Sequence, residues 1–117
     1  MNTSMKKSVI TKPLTIDFDL HTDGDEEFKK ELIILMIDNI RELQEALSKA
    51  IMKSNIQIFR ETSHKVKPTI SIVNDKDLTD MIDELKLQPE ETRTTETVLF
   101  FNRRCEDIIK DLEEEIR

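Results

Sequence analysis

The sequence predicts an all-α protein, an antiparallel up-down four-helix bundle with an extended N-terminal arm. Its 117 residues are close to the commonest size of a single domain. One glycine and three prolines leave little turn chemistry for a multistranded sheet. Because there is no tryptophan or tyrosine, the core must be mainly aliphatic. Leucine, isoleucine, valine and methionine recur at helical spacing, which favours helices most directly.

Residues 1–22 are predicted to be a flexible tail and an extended arm, ahead of a helical bundle over residues 23–117. The tail is basic and polar. In the arm, "PLTIDFDLH", Ile16, Phe18 and Leu20 alternate with polar residues, which is the period of extended chain. We expect these apolar side chains to cover one end of the helical core.

The first long helix is predicted to run from "TDGDEEF" to about Met52. Asp23 and Glu26 have the spacing of a capping box at its start. Its predicted inward-facing residues are Phe28, Leu32, Leu35, Ile40, Leu43, Leu47 and Ile51.

The second helix is predicted to begin at "KSNIQIF", where Ser54 and Gln57 again have capping-box spacing. Its predicted buried seam consists of Phe59, Ser63, Val66, Ile70 and Val73. Pro68 lacks the amide that would pair with the carbonyl of His64, so we expect a mild kink there. In an alternative interpretation, Pro68 ends the helix and the β-branched "TISIV" begins a strand. The unbroken seam favours the helix.

Two further helices complete the predicted bundle. Asn74 or Asp75 is expected to cap the third, whose inner face is Leu78, Met81, Ile82 and Leu85. After a predicted loop, "LQPEETRTT", the fourth runs nearly to the C-terminus, with inward-facing Phe101, Cys105, Ile108, Leu112 and Ile116. Arg103 and Arg104 begin its polar face. We expect them to form ion pairs or to interact with the helix dipole, and a position beside His64 in the bundle is an alternative.

Composition excludes several classes of function. A net charge of −7 argues against nucleic acid as a general partner, because phosphate binding needs a broad basic face. The single cysteine, Cys105, cannot form an intramolecular disulfide and is expected to be a buried apolar residue. No apolar run approaches the roughly 20 residues that cross a bilayer, and the start has no apolar signal region. We therefore expect a cytoplasmic protein without membrane insertion.

The acidic segment "DFDLHTDGDEE" contains His21 and invites comparison with a metal site. If Asp19 were the first position of an EF-hand loop, Gly24 would be sixth, but Lys30 would replace the glutamate required at the twelfth. The segment is therefore interpreted as a solvated acidic linker, and no metal site is predicted.

One stripe of the second helix carries groups that can do chemistry. Arg60, His64, Lys67 and Ser71 fall on it, beside the buried seam, and Lys65 flanks His64. An exposed neutral imidazole can attack a phosphoryl group, and an ammonium one turn away can neutralise the oxygens. On residue types alone, an ordinary surface histidine beside lysines is the commoner explanation.

Two blocks of sequence resemble the histidine-containing phosphotransfer (HPt) domains of two-component phosphorelays. "DEEFKKELIILMIDNIRELQEAL" is similar to the first bundle helix of that family, and "FRETSHKVKP" resembles its phosphorylation-site helix. The resemblance extends over about residues 25–116.

The resemblance implies roles for individual residues. His64 matches the phospho-accepting histidine, Val66 a buried aliphatic position, and Lys67 the lysine beside the phosphoryl group. Pro68 departs from the usual glycine, which in the family lets a receiver domain approach closely. Ser63 stands where alanine is common.

As a member of this family, the protein would be a phosphorelay carrier. His64 would accept a phosphoryl group from a receiver-domain aspartate and pass it to another, while Arg60, Lys65, Pro68 and Ser71 line the docking face. The resemblance implies a monomer without kinase activity or a bound cofactor, with Mg²⁺ held by the partner. Response-regulator receiver domains, and a hybrid sensor kinase, are the implied partners.

Two other hypotheses remain open. A helical adaptor would keep the bundle without phosphotransfer, and Pro68 is its best support. A structural bundle that dimerises through its first helix is the weaker alternative.

Overall fold

The computed structural model describes residues 14–87 and 95–117, and the chain within these ranges is helical with no strand. The helices are α1 (Phe18–Thr22), α2 (Glu26–Met52), α3 (Ile56–Lys65), α4 (Lys67–Val73), α5 (Lys76–Leu87) and α6 (Thr95–Glu115). The all-α prediction is confirmed. The predicted tail up to Lys12 and most of the predicted loop after α5 lie outside the described residues.

The predicted extended arm is wrong where α1 forms. Asp17 caps the start of this helix, and its Oδ1 accepts from the Leu20 amide at 3.2 Å. The helix ends at Asp23, whose backbone adopts the left-handed conformation with a φ of 53°. Residues two apart lie on opposite sides of a helix, so Phe18 is buried whereas Leu20 is 75% exposed. Phe18 still packs on the core, together with partly buried Ile16.

Helix α2 begins and ends close to its predicted limits, but its cap is Asp25 rather than Asp23. The Oδ1 of Asp25 accepts from the Phe28 amide at 3.0 Å. Its 27 residues make α2 the longest helix in the described chain.

The predicted inward stripe of α2 is wrong at three positions, two in its first half and one at its end. Its buried residues are Ile33, Met36, Ile40, Leu43, Ala46, Leu47 and Ala50. Phe28, Leu35 and Ile51 are each more than 40% exposed. The predicted step of five residues from Leu35 to Ile40 turns the helix by about 140°, which moves Leu35 off the buried face.

Asn55, not Ser54, caps α3, and its side chain accepts from the Gln57 amide at 3.1 Å. Ser54 instead has a positive φ of 50° in the turn that follows α2. A positive φ is incompatible with the extended backbone of an N-cap, which explains the one-residue shift.

The predicted second helix is two helices that meet at Val66. The Val66 amide donates to the Thr62 carbonyl at 3.0 Å, and the Val66 carbonyl accepts from the Ile70 amide at 3.2 Å. Pro68 lies in the first turn of α4, where a missing amide costs nothing. The strand alternative for residues 69–73 is therefore excluded.

The predicted seam continues through this break. Phe59, Ser63, Val66 and Val73 are buried, and Ile70 is partly buried.

The last two helices follow the prediction closely. Asp75 caps α5, and its carboxylate accepts from the Leu78 amide at 2.9 Å. On the predicted inner face, Leu78, Ile82 and Leu85 are buried and Met81 is partly buried. The buried side of α6 contains Phe101, Cys105, Ile108, Ile109 and Leu112, with Ile116 partly buried.

Helix α2 is the element against which α1, α3, α4 and α6 pack, whereas α5 packs against α3 and α6. Helices α2 and α6 run antiparallel. The Nζ of Lys29, near the start of α2, lies 3.1 Å from a carboxylate oxygen of Glu115 at the end of α6. The side-chain amide of Gln44 donates to the side-chain oxygen of Asn102, in the first half of α6, at 3.2 Å.

Aromatic packing joins α3 to α6 at the centre of the core. Phe59 and Phe101 are fully buried, with ring centroids 5.9 Å apart and an interplanar angle of 80°. This is the favourable edge-to-face arrangement. Cys105 is buried as predicted, and burial raises the pKa of its thiol to about 12.

None of the helices in the described ranges is long and apolar enough to pass through a membrane.

Phe100 and Phe101 are neighbours in sequence but differ in burial, 51% and 0% exposed. We expect Phe101→Ala to lower the free energy of unfolding by about 3 to 5 kcal/mol, because it removes buried area and leaves a cavity. Phe100→Ala, the matched control, should cost less than about 1 kcal/mol. Denaturant unfolding followed by circular dichroism measures both, and equal losses would contradict this packing.

Candidate functional site

A groove of about 500 Å³ lies between the α3–α4 segment and α5. The first wall consists of Ser63, His64, Lys67, Ile70, Ser71 and Asn74. The second wall, on α5, consists of Thr79, Ile82, Asp83 and Lys86. Three of the predicted site residues, His64, Lys67 and Ser71, are thus brought together on one surface.

His64 lies in the last turn of α3 and Lys67 begins α4. Both side chains are exposed and line the groove, although the helix breaks between them. Val66, at the break, is only 1% exposed. Because Val66 is fixed in the core, the imidazole and the ammonium on either side of it are held at the surface, available to a partner.

Ser63 and Ser71 contribute differently. The Ser63 side chain is buried, and its hydroxyl donates to the Arg60 carbonyl of the preceding turn at 2.9 Å. It therefore acts as a small residue whose polar group is satisfied within its own helix. Ser71 is exposed in the groove wall, where its hydroxyl can donate to an oxygen of a bound group.

Arg60 does not line the groove, although it belongs to the predicted stripe. Its Nε and Nη2 donate to the carbonyl of Lys86, at 2.9 and 2.6 Å. The acceptor is one of the last carbonyls of α5, which have no partner within the helix. Arg60 therefore holds the C-terminal turn of α5 against α3.

Lys65 and Pro68 also lie outside the groove walls. The Nζ of Lys65 is 2.7 Å from a carboxylate oxygen of Glu42 on α2, an exposed pair of the kind that contributes at most about 1 kcal/mol. Pro68 is exposed at the start of α4. Both are exposed, but neither lines the groove.

The second wall of the groove is fixed at its other end by a buried ion pair. Arg104 on α6 donates through Nε and Nη2 to the two carboxylate oxygens of Asp75, at 2.9 and 2.6 Å. Arg104 is 8% and Asp75 9% exposed. The hydrogen bonding of Arg104 to the Asp75 carboxylate raises the pKa of the guanidinium above its already high ordinary value. The ion-pair interpretation of Arg104 is confirmed, with Asp75 as a partner, but its predicted place on the polar face is wrong because the side chain is buried, and it does not line the groove of His64.

Sequence reasoning missed the α5 wall. Thr79, Asp83 and Lys86 are spaced by four and three residues, so a helical stripe was visible beside the apolar face. Nothing in the sequence indicated that this stripe faces His64, because that depends on how α5 packs against α3.

Within the described residues, no group of three or more histidine, cysteine, aspartate or glutamate side chains is placed to hold a metal ion. The acidic segment around His21 includes the end of α1 and the turn into α2.

No family model, curated protein or solved structure matches this chain. Function must therefore be inferred from the residues of the groove and their geometry.

Arg103 and Arg104 are adjacent, but Arg103 is exposed. We expect Arg104→Met to lower the free energy of unfolding by about 3 to 5 kcal/mol, because it leaves the buried carboxylate of Asp75 without its main counter-charge. Arg103→Met should change it by less than about 0.5 kcal/mol. Urea unfolding of the two variants makes the comparison, and similar curves would argue against a buried pair.

Proposed function

We propose that the protein is a histidine phosphotransfer carrier of the HPt type. Its phosphoryl acceptor would be His64, and its partners would be receiver domains of response regulators and a hybrid sensor kinase. The observation that carries the proposal is the position of His64, an exposed imidazole in a groove that also contains Lys67.

The chemistry needs little from the carrier itself. A ring nitrogen of neutral His64 would attack the phosphorus of a receiver aspartyl phosphate while the bond from phosphorus to the carboxylate oxygen breaks. The carboxylate leaves with the electron pair, and the phosphoryl group becomes bonded to the imidazole. Lys67 would stabilise the charge on the phosphoryl oxygens. Transfer to the next aspartate is the reverse reaction, and Mg²⁺ would be supplied by the receiver.

The arrangement of the helices supports this proposal. Helices α2, α5 and α6, with α3 and α4 counted as one interrupted helix, correspond to the four predicted bundle helices. We propose that they form the antiparallel bundle of the family, with α1 added at one end. The ion pair of Lys29 with Glu115, between opposite ends of α2 and α6, favours an antiparallel order. A cytoplasmic monomer would suit such a carrier.

The exposed residues around the groove would form the docking face. Ser71 is in the groove wall, and Pro68 and Lys65 lie at the surface around it. Arg60 would contribute to this face through its hold on α5 rather than as a free cation.

A helical adaptor without phosphotransfer is the second candidate. Pro68 favours it, because a proline ring at the start of α4 occupies space where the family usually has glycine. Such an adaptor would bind receiver domains equally well with or without an imidazole at position 64.

His64 and His21 are the only histidines, and both are exposed. After incubation with a phosphorylated receiver domain and Mg²⁺, we expect the wild type and His21→Gln to gain one phosphoryl group that mild acid removes. His64→Gln should gain none. Intact-mass measurement before and after acid gives the result. Uptake by His64→Gln equal to that of the wild type would exclude the carrier, and no uptake across several receivers would favour the adaptor.

Lys65 and Lys67 differ in whether they face the groove, which allows a second test. We expect Lys67→Met to slow transfer at saturating receiver concentration by about 10- to 100-fold, since it removes a charge at the phosphoryl group. Lys65→Met should leave the saturating rate within about twofold and act, if at all, on the KM for the receiver. Rapid-quench measurements at several receiver concentrations separate the two effects, and equal losses at saturation would refute the assignment of Lys67.

A further inference from the structure

Helix α5 brings a second lysine into the groove of His64. Lys86 is in its last turn, is partly buried, and lines the groove with His64 and Lys67. The other lysine of α5, Lys76, is at the opposite end of the helix and lies 2.7 Å from Asp80, outside the groove walls.

The charge balance of the groove depends on Lys86. Its walls contain two ammonium groups, on Lys67 and Lys86, and one carboxylate, on Asp83. With neutral His64 the net charge is therefore about +1, and without Lys86 it would be zero. A phosphoryl group brings close to two negative charges near pH 7. Lys67 alone would be offset by Asp83, leaving the incoming charge without a net positive environment.

Arg60 determines where the backbone of Lys86 lies. Two guanidinium donors of Arg60 meet the single carbonyl oxygen of Lys86, at 2.9 and 2.6 Å. A charged donor at the C-terminal end of a helix is favourable, because the last carbonyls lack internal partners and carry partial negative charge. This contact joins α3, one turn before His64, to a residue of α5 that lines the groove.

Building on the phosphoryl-carrier function above, we propose that Lys86 is the second cation that neutralises the phosphoryl group at His64. Arg60 is its positioning residue. The two residues then act as one unit, since Arg60 fixes the turn of α5 from which the Lys86 side chain reaches the groove.

The first experiment compares single-turnover transfer from a saturating phosphorylated receiver domain to the wild type, Lys86→Met, Lys86→Arg and the control Lys76→Met. We expect Lys86→Met to be at least about tenfold slower, and Lys86→Arg to recover most of the rate, because it restores the charge. Lys76→Met should stay within about twofold, since Lys76 and its ion-pair partner Asp80 are exposed and are not part of the groove walls.

The outcomes distinguish a failure of the proposed Lys86 role from a failure of the carrier function. If the wild type transfers through His64 and Lys86→Met is equally fast, the role of Lys86 is refuted while the carrier function stands. If the wild type takes up no phosphoryl group, the carrier function fails and the role of Lys86 with it.

A second experiment distinguishes positioning from a general structural effect. Arg60→Met is measured in the wild-type background and in the Lys86→Met background, with Arg60→Lys as the conservative variant. We expect Arg60→Met to slow transfer several-fold only when Lys86 is present, with partial recovery in Arg60→Lys. An equal slowing in both backgrounds would show that Arg60 acts without Lys86 and would overturn the positioning role.

Discussion

The missing amide of Pro68 is the constraint on which the candidate site depends. In a continuous helix the carbonyl of His64 would lose its donor and meet the proline ring. The chain avoids both problems by ending α3 at Lys65 and restarting at Lys67, which places Pro68 in the first turn of α4. Val66 is buried at the junction, so the apolar seam is preserved and the flanking polar residues stay at the surface. With Pro68 at this position, an imidazole and an ammonium group thus still line one groove.

The α5 wall of the groove is held in place by two arginines that lie in different environments. Arg104 holds the first turn of α5 through the buried carboxylate of Asp75, and Arg60 holds the last turn through an exposed backbone carbonyl. Desolvation offsets much of the attraction within a buried ion pair, so its main effect is geometric: a misplaced α5 would leave a charge buried and unpaired. The exposed contact contributes less to stability and more to the position of a single side chain, that of Lys86.

Local patterns predicted most of the fold, and tertiary packing explains what they missed. The inner face of α5 and the seam from Phe59 to Val73 follow from helical periodicity alone. The predicted extended arm is wrong at α1 because an alternating pattern of four or five residues also fits one helical turn capped by Asp17. For the site, periodicity correctly placed His64 and Lys67 beside the seam. It could not predict that Arg60 would turn to α5, because a long side chain reaches partners on neighbouring helices that no local pattern specifies.

The charge of the groove argues for a carrier over an adaptor. The chain has 25 acidic and 18 basic residues, so a groove of average composition would have more carboxylates than cations. Around His64 the ratio is reversed, with two lysines to one aspartate. An adaptor that recognised an acidic partner could distribute its cations over a broad face, as the exposed Lys65 is placed. Cations from two separate helices that line the same groove as one imidazole are useful when negative charge develops at a single point, as it does in phosphoryl transfer.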